Sequence, residues 1–116
     1  MAEDIFETLA EQDRRGEPVV FCLVVKVDGH APQKPGAKMV VFRDGAIRGT
    51  IGGGRVEAEV IARARALLEA SGGAPEIVRY KLAAELGMCC GGRLVVLLEP
   101  SRDAKRPVLS LRRIGT

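Results

Sequence analysis

Two glycine-rich segments carry the residues of this chain that could do chemistry. The first is Gly52-Gly53-Gly54, with Glu57 shortly after it, and the second is Cys89-Cys90-Gly91-Gly92. Because glycine loses the most backbone freedom on folding, consecutive glycines indicate a sharp turn or a close approach to a ligand. A glycine loop that leads into a helix presents free N–H groups at the positive end of the helix dipole, where anions bind. The pattern predicts a site for an anionic ligand, with thiols as a second candidate for chemistry.

The ionisable side chains of the two segments allow more than one role. Glu57, in the predicted first turn of a helix, would offset the helix dipole, act as a general base, or accept ring N–H groups of a heterocycle. Loop amides could lower the pKa of the Cys89 or Cys90 thiol, making it a nucleophile, a ligand for a soft metal or a persulfide carrier. The alternative for each thiol is a small buried apolar side chain.

Cationic side chains lie near the first segment. Arg55 directly follows the triple glycine and could strengthen phosphate binding, and Lys34 could contact phosphate as a point charge. His30, the single histidine, falls in the same predicted loop as Lys34. A lone loop histidine is more often exposed than catalytic. With Cys22 predicted inside a strand, the spacing does not match a zinc site.

The elements that must position these residues follow from hydrophobic periodicity and turn residues. The predicted helices span 3–15 and 55–70, with strands at 18–27, 38–42, 46–51, 76–82 and 93–98, a short helical turn within 82–87 and a weakly supported strand at 108–111. The run at 18–27 is nearly continuous in strand-forming residues and predicts a central strand covered on both faces. Asp44-Gly45 predicts a hairpin, which argues against an all-parallel sheet. The predicted fold is α/β (α+β): a single small domain with a mixed sheet of about five strands and two main helices.

Composition and charge limit the classes of function. The chain has 116 residues and a formal net charge of +3, with 47% hydrophobic and 28% charged residues, as in ordinary globular proteins. The segment 101–116 holds five cations and one carboxylate, so we predict a domain at 1–100 and a basic C-terminal tail at 101–116. A nearly neutral body with few aromatic residues argues against nucleic acid as a partner. Three cysteines without a disulfide pattern, and no long apolar run, predict a cytoplasmic protein without a membrane partner.

Three separated motifs together resemble the N-terminal domain of the xanthine dehydrogenase accessory factor family (XdhC/CoxI). They occur in order over roughly residues 18–100. The motifs are Gly29-His-Ala-Pro-Gln-Lys-Pro-Gly-Ala-Lys-Met39 followed by Asp44-Gly45, then Gly49-Thr-Ile-Gly-Gly-Gly-Arg-Val-Glu-Ala-Glu59, and Gly87-Met-Cys-Cys-Gly-Gly-Arg93 leading into Glu99-Pro100.

The resemblance implies a maturation factor for a molybdenum hydroxylase of the xanthine or carbon monoxide dehydrogenase type. Such proteins look like carriers that bind the molybdenum cofactor (molybdopterin), protect it during sulfuration and deliver it to the apoenzyme. On this basis we expect a cofactor carrier or chaperone rather than a turnover enzyme. The predicted catalytic residues are Cys89, Cys90 and Glu57, the two cysteines are also predicted metal ligands, and the predicted cofactor-binding residues are Gly52, Gly53, Gly54, Arg55, Gly91, Gly92 and Lys34.

The chain departs from the common family pattern at several positions. Arg55 stands where the family commonly has cysteine, and Ala31 and Gln33 stand where it commonly has serine and arginine. Typical members also carry a second, dinucleotide-binding domain, which a separate subunit could supply here. Two other functions therefore stay open, a persulfide sulfurtransferase that uses Cys89 or Cys90, and a non-catalytic scaffold for such a subunit. The predicted strands are also compatible with a homodimer.

Overall fold

The computed structural model describes residues 4–29, 31, 33–70, 73–82 and 92–101. Its elements are α1 (Ile5–Arg15), β1 (Val19–Asp28), β2 (Lys38–Phe42), β3 (Ile47–Gly49), α2 (Gly54–Glu69), β4 (Glu76–Lys81) and β5 (Arg93–Pro100). The strands form one sheet in the order β3-β2-β1-β5-β4. The predicted fold class, with two main helices and five strands, is confirmed.

The direction of the strands differs from the predicted mixed sheet. All four pairings between these strands are antiparallel. A parallel pair needs a crossover that returns the chain to a neighbouring strand. Here α2 connects β3 to β4, which run in the same direction but lie at opposite edges of the sheet. The helical connection therefore produces no parallel neighbours.

The sheet separates two hydrophobic clusters, each covered by one helix. On one face α2 packs against β1, β2 and β5, and on the other face α1 packs against β1, β2 and β3. Alternate residues of β1 enter the two clusters: Val20 and Cys22 lie beneath α2, whereas Val19 and Phe21 lie beneath α1. The prediction that this segment is a central strand is confirmed, and its first half is buried on both faces.

Turn chemistry sets the remaining boundaries. Asp4 caps α1, because its carboxylate accepts the Glu7 N–H at 3.0 Å, and Gly16 ends the helix in the left-handed region at a φ of 69°. The hairpin between β2 and β3 turns at Gly45, whose φ is 93°. Both the helix stop at Gly16 and the hairpin at Asp44-Gly45 agree with the sequence prediction.

Some predicted segments lie outside the described residues. They are the strand at 108–111, most of the helical turn at 82–87 and the tail from residue 102 onward. Ser101, the last described residue, is buried, and its N–H donates to the Val19 carbonyl at 2.8 Å. Within the described part of the chain, neither helix has the length and apolar character needed to cross a membrane.

Gly49 provides a test of how tightly α1 packs on the hairpin. Its φ is +74°, and a Cβ there would lie 2.6 Å from the Lys38 carbonyl oxygen and 2.7 Å from Ile5 Cδ1. We expect Gly49→Ala to lower the free energy of unfolding by about 2–5 kcal/mol, since strain and overlap add. The measurement is urea denaturation.

The matched control is Gly36→Ala. Gly36 has a φ of +88°, but no described atom lies within 4 Å of an added Cβ. We expect it to cost only the conformational strain of about 1–2 kcal/mol. Equal losses for the two variants would contradict the close packing at Gly49.

Candidate functional site

The carboxylate of Glu57 organises the glycine loop at the start of α2. Glu57 is buried, with 7% of its surface exposed. Its Oε2 accepts the Thr50 hydroxyl at 2.7 Å and the Gly53 N–H at 2.6 Å. Thr50 Oγ1 in turn accepts the Gly52 N–H at 3.0 Å. Because a buried carboxylate is costly unless hydrogen-bonded, these donors fix the loop against the helix.

These bonds bear on the roles predicted for Glu57. Oε2 already accepts two donors of the chain itself, so Glu57 positions the loop in this structure. A negative side chain in the first turn also offsets the positive end of the helix dipole, as predicted. The predicted general-base role of Glu57 stays a prediction.

The three glycines are required first by backbone conformation. Gly52, Gly53 and Gly54 have φ angles of +127°, +73° and +72°, values that other residues rarely adopt. Gly52 is also pressed against Gln33, whereas no described atom lies within 4 Å of a Cβ added at Gly54. The space in front of Gly54 is therefore open among the described residues, as a ligand that approaches the backbone would need.

The first turn of α2 offers donors to such a ligand. The N-cap is Gly53, which has no side chain to cap the helix. The N–H groups of Gly52 and Gly53 are already used within the loop, so the first-turn N–H groups of Gly54, Arg55 and Val56 face outward from the helix end. The exposed Arg55 side chain adds positive charge at the same end. The arrangement suits a phosphate or another anion.

Gln33 is the residue at this site that sequence reasoning missed. Its side chain is 2% exposed, and neither Oε1 nor Nε2 has a hydrogen-bond partner among the described residues. A Cβ on Gly52 would lie 3.1 Å from Gln33 Cγ and 3.4 Å from its Nε2. Lys34, the next residue, is exposed. The loop that holds the two residues therefore lies against the glycine loop.

The second glycine segment is placed only through Leu82 and Gly92, the described residues at its two ends and here called its anchors. His30, Cys89, Cys90 and Gly91 lie outside the described residues. Gly92 is buried, and its carbonyl accepts the Leu82 N–H at 2.9 Å. Leu82 belongs to the same hydrophobic cluster as Val56 of α2. The residue that precedes the segment 83–91 therefore packs on the face of the sheet that carries α2.

The sheet topology brings the anchors of all three motifs to one end. Strands β1, β3 and β4 run in the same direction, and the segments 29–37, 50–53 and 82–92 follow their ends. Arg93 pairs with both Asp28 and Lys81, so the first segment leaves from β1 beside the point where the third segment enters β5. The segment 50–53 leads into α2, which packs across β1, β2 and β5.

The third cysteine is set apart from this end of the sheet. Cys22 is buried in β1, and burial raises the pKa of its thiol to about 12. It was predicted to lie in a strand and not to form part of a zinc site. Among the described residues, no group of three or more His, Cys, Asp or Glu side chains could hold a metal ion. The metal-ligand role predicted for Cys89 and Cys90 is untested.

With this geometry established, the family can be assigned. The family model of the XdhC and CoxI family matches residues 13–81, more than half of the chain. The chain belongs to the XdhC and CoxI family, and the resemblance seen in its motifs is confirmed. The match includes the glycine loop, Glu57 and Gln33.

Two known proteins show how this chain compares with longer ones. It is 34% identical over 113 residues to the uncharacterised protein YqeB of Escherichia coli (strain K12). The aligned region covers 93% of this chain and 20% of YqeB. A crystal structure described as a xanthine dehydrogenase from Bacillus halodurans is similar at 31% identity and a TM-score of 0.68, over 83% of this chain and 29% of that one. The chain spans about a fifth of the curated relative.

The role of Glu57 can be tested by stability. Glu57→Ala removes the acceptor of the Thr50 hydroxyl and the Gly53 N–H, so we expect the free energy of unfolding to fall by about 1–3 kcal/mol. The control is Glu59→Ala, an exposed position on the same helix, where we expect a change within about 0.5 kcal/mol. Equal losses of the free energy of unfolding for the two variants, measured in urea, would contradict the role of Glu57 in stabilising the loop.

The state of Cys22 can be tested by thiol labelling. In the variant with Cys89→Ser and Cys90→Ser, only Cys22 remains for alkylation. Because burial raises its pKa to about 12, the thiolate is scarce at pH 8, and the pKa predicts more thiolate as the pH rises. We expect no iodoacetamide adduct by mass spectrometry at pH 8 unless the protein is first unfolded. Rapid labelling of the folded protein at pH 8 would contradict the burial of Cys22.

Proposed function

We propose that this protein is an accessory factor that holds the molybdenum cofactor for a molybdenum hydroxylase of the xanthine or carbon monoxide dehydrogenase type. The observation that carries the proposal is that the anchors of three separate motifs share one end of the sheet, the end at which α2 begins with N–H groups that would suit an anion. Family membership supports an accessory role, and the neighbour described as a xanthine dehydrogenase supports a molybdenum enzyme as the client.

The described residues fit the phosphate of this cofactor. The N–H groups of the first turn of α2 would bind its oxygens, and Arg55 and Lys34 would supply positive charge. Glu57 would take no part in binding the phosphate, since like charges repel. It would hold the loop shape through Thr50 and Gly53.

The thiol segment would lie close to the metal end of the bound molecule. When bound, the cofactor would supply a molybdenum centre on a dithiolene, the kind of soft centre that thiolates favour. Cys89 and Cys90 would contact that end, and Gly91 and Gly92 would allow the backbone to approach it. The task is capture and protection rather than turnover.

Cofactor retention tests the proposal directly. The purified protein is titrated anaerobically with molybdenum cofactor released from a donor enzyme, filtered and assayed by pterin fluorescence. We expect the protein to retain one cofactor per chain. We expect Gly53→Ala to lose it, because a φ of +73° and a ψ of −168° suit only glycine and the loop would change shape.

The matched control is Gly45→Ala. Gly45 also has a positive φ, +93°, but it lies in the hairpin turn at the opposite end of the sheet. This variant should retain as much cofactor as the natural protein. Absence of retention by the folded natural protein would overturn the carrier function and favour a scaffold for a separate dinucleotide-binding subunit.

The cysteine pair is tested in the same assay. We expect Cys89→Ser with Cys90→Ser to abolish retention, and unchanged retention would remove the thiols from the proposal. Mass spectrometry after incubation with a sulfur donor separates the sulfurtransferase alternative. An added sulfur atom on either cysteine would favour turnover of a persulfide over passive carriage.

A further inference from the structure

Gln33 is a buried polar side chain without a hydrogen-bond partner among the described residues. Its exposed fraction is 2%, and its carboxamide has no hydrogen-bond partner for either polar atom among the described residues. Nearly all buried polar groups in folded proteins are paired, because an unmade hydrogen bond leaves the cost of desolvation uncompensated. An apolar side chain of similar size would therefore be more stable here. A partner for this amide must therefore come from outside the described residues, and a bound ligand is such a partner.

The position of this amide links it to the glycine loop. Gly52 lies so close that a Cβ would sit 3.1 Å from Gln33 Cγ and 3.4 Å from Nε2. Two backbone bonds hold the loop of Gln33 in place, from the Val24 N–H to the Ala37 carbonyl at 2.9 Å and from the Gly36 N–H to the Val24 carbonyl at 2.8 Å. The amide is thus fixed beside the start of α2. Its missing hydrogen bonds are an observation separate from the N–H groups at that helix end.

The chemistry of a carboxamide selects one class of partner. It presents an acceptor oxygen and an NH2 donor side by side. A phosphate, which offers only acceptors, would leave the Gln33 oxygen unpaired. A planar nitrogen heterocycle with an adjacent donor and acceptor on one edge pairs with both atoms, as glutamine does with base edges.

We propose that Gln33 is the specificity-determining residue of this site and pairs with the donor–acceptor edge of a pterin-like heterocycle whose phosphate lies at the start of α2. The inference rests on the proposed ligand-holding function and extends it to the ring of the ligand. It assigns the phosphate to the helix end and the heterocycle to Gln33. The two parts of the ligand can therefore be separated by experiment.

The test compares two probes on the intact protein, neopterin monophosphate and inorganic phosphate. We expect Gln33→Met to weaken the binding of neopterin monophosphate by about 10- to 100-fold, because the ring would lose its hydrogen bonds to the amide. The affinity for inorganic phosphate should stay unchanged. Because the variant removes an unpaired buried amide, its Tm should rise by about 4 °C or more. The control Glu59→Ala, exposed on α2, should bind both probes as the natural protein does.

A gain in stability combined with a loss of ring binding is the result that a purely structural role cannot give. Equal affinity of Gln33→Met and the natural protein for neopterin monophosphate would overturn the inference. So would a lower Tm, since the amide would then be paired within the fold. Gln33→Leu repeats the test if the first variant does not fold, and failure of both to fold counts against the inference.

The outcome is distinguishable from failure of the proposed function. If the natural protein retains molybdenum cofactor but Gln33→Met retains it equally well, the carrier function stands and the role of Gln33 falls. If the natural protein retains no molybdenum cofactor but binds neopterin monophosphate through Gln33, the carrier function falls and the site remains. Binding of neither probe by the natural protein overturns the inference.

Discussion

The buried carboxylate of Glu57 is the constraint on which the site depends. A carboxyl group with 7% exposure needs hydrogen-bond donors around it, and the chain provides the Thr50 hydroxyl and the Gly53 N–H. These bonds bring the segment after β3 back over the helix start, in backbone conformations that glycine alone adopts readily. They also consume the loop N–H groups, so a ligand meets the first helical turn. One side chain thus determines both the shape of the loop and the donors that remain.

Antiparallel pairing places two other connections at the same end of the sheet as the glycine loop. Because all neighbouring strands are antiparallel in the order β3-β2-β1-β5-β4, strands β1, β3 and β4 run in the same direction. The connections after β1, β3 and β4 share one end, and the hairpin turn at Gly45 lies at the other. Topology alone therefore brings the anchors of motifs that are far apart in sequence to one end of the sheet. The two helices cover the sheet, one on each face.

Local patterns in the sequence were sufficient for most of the fold. Apolar periodicity predicted both helices, and Asp44-Gly45 predicted the hairpin, because these features depend on neighbouring residues. The antiparallel order could not be predicted, since it depends on which distant strands pair. The same limit applies to the site. The triple glycine and Glu57 were recognisable, but a glutamine in a proline-flanked segment predicts an exposed side chain. Gln33 is instead buried, in a loop that bonds back to Val24.

The bonds between Val19 and Ser101 have a consequence for biosynthesis. They join positions 82 residues apart, and β1 receives β5 only when the chain has been made to that point. At ~5–20 residues per second, a ribosome needs about 4–16 s to make the intervening chain. During that interval one edge of the central strand has no partner, and unpaired apolar edges recruit other chains. The nascent protein is therefore most exposed to misassembly before β5 emerges, so we expect slower translation of the second half to increase aggregation.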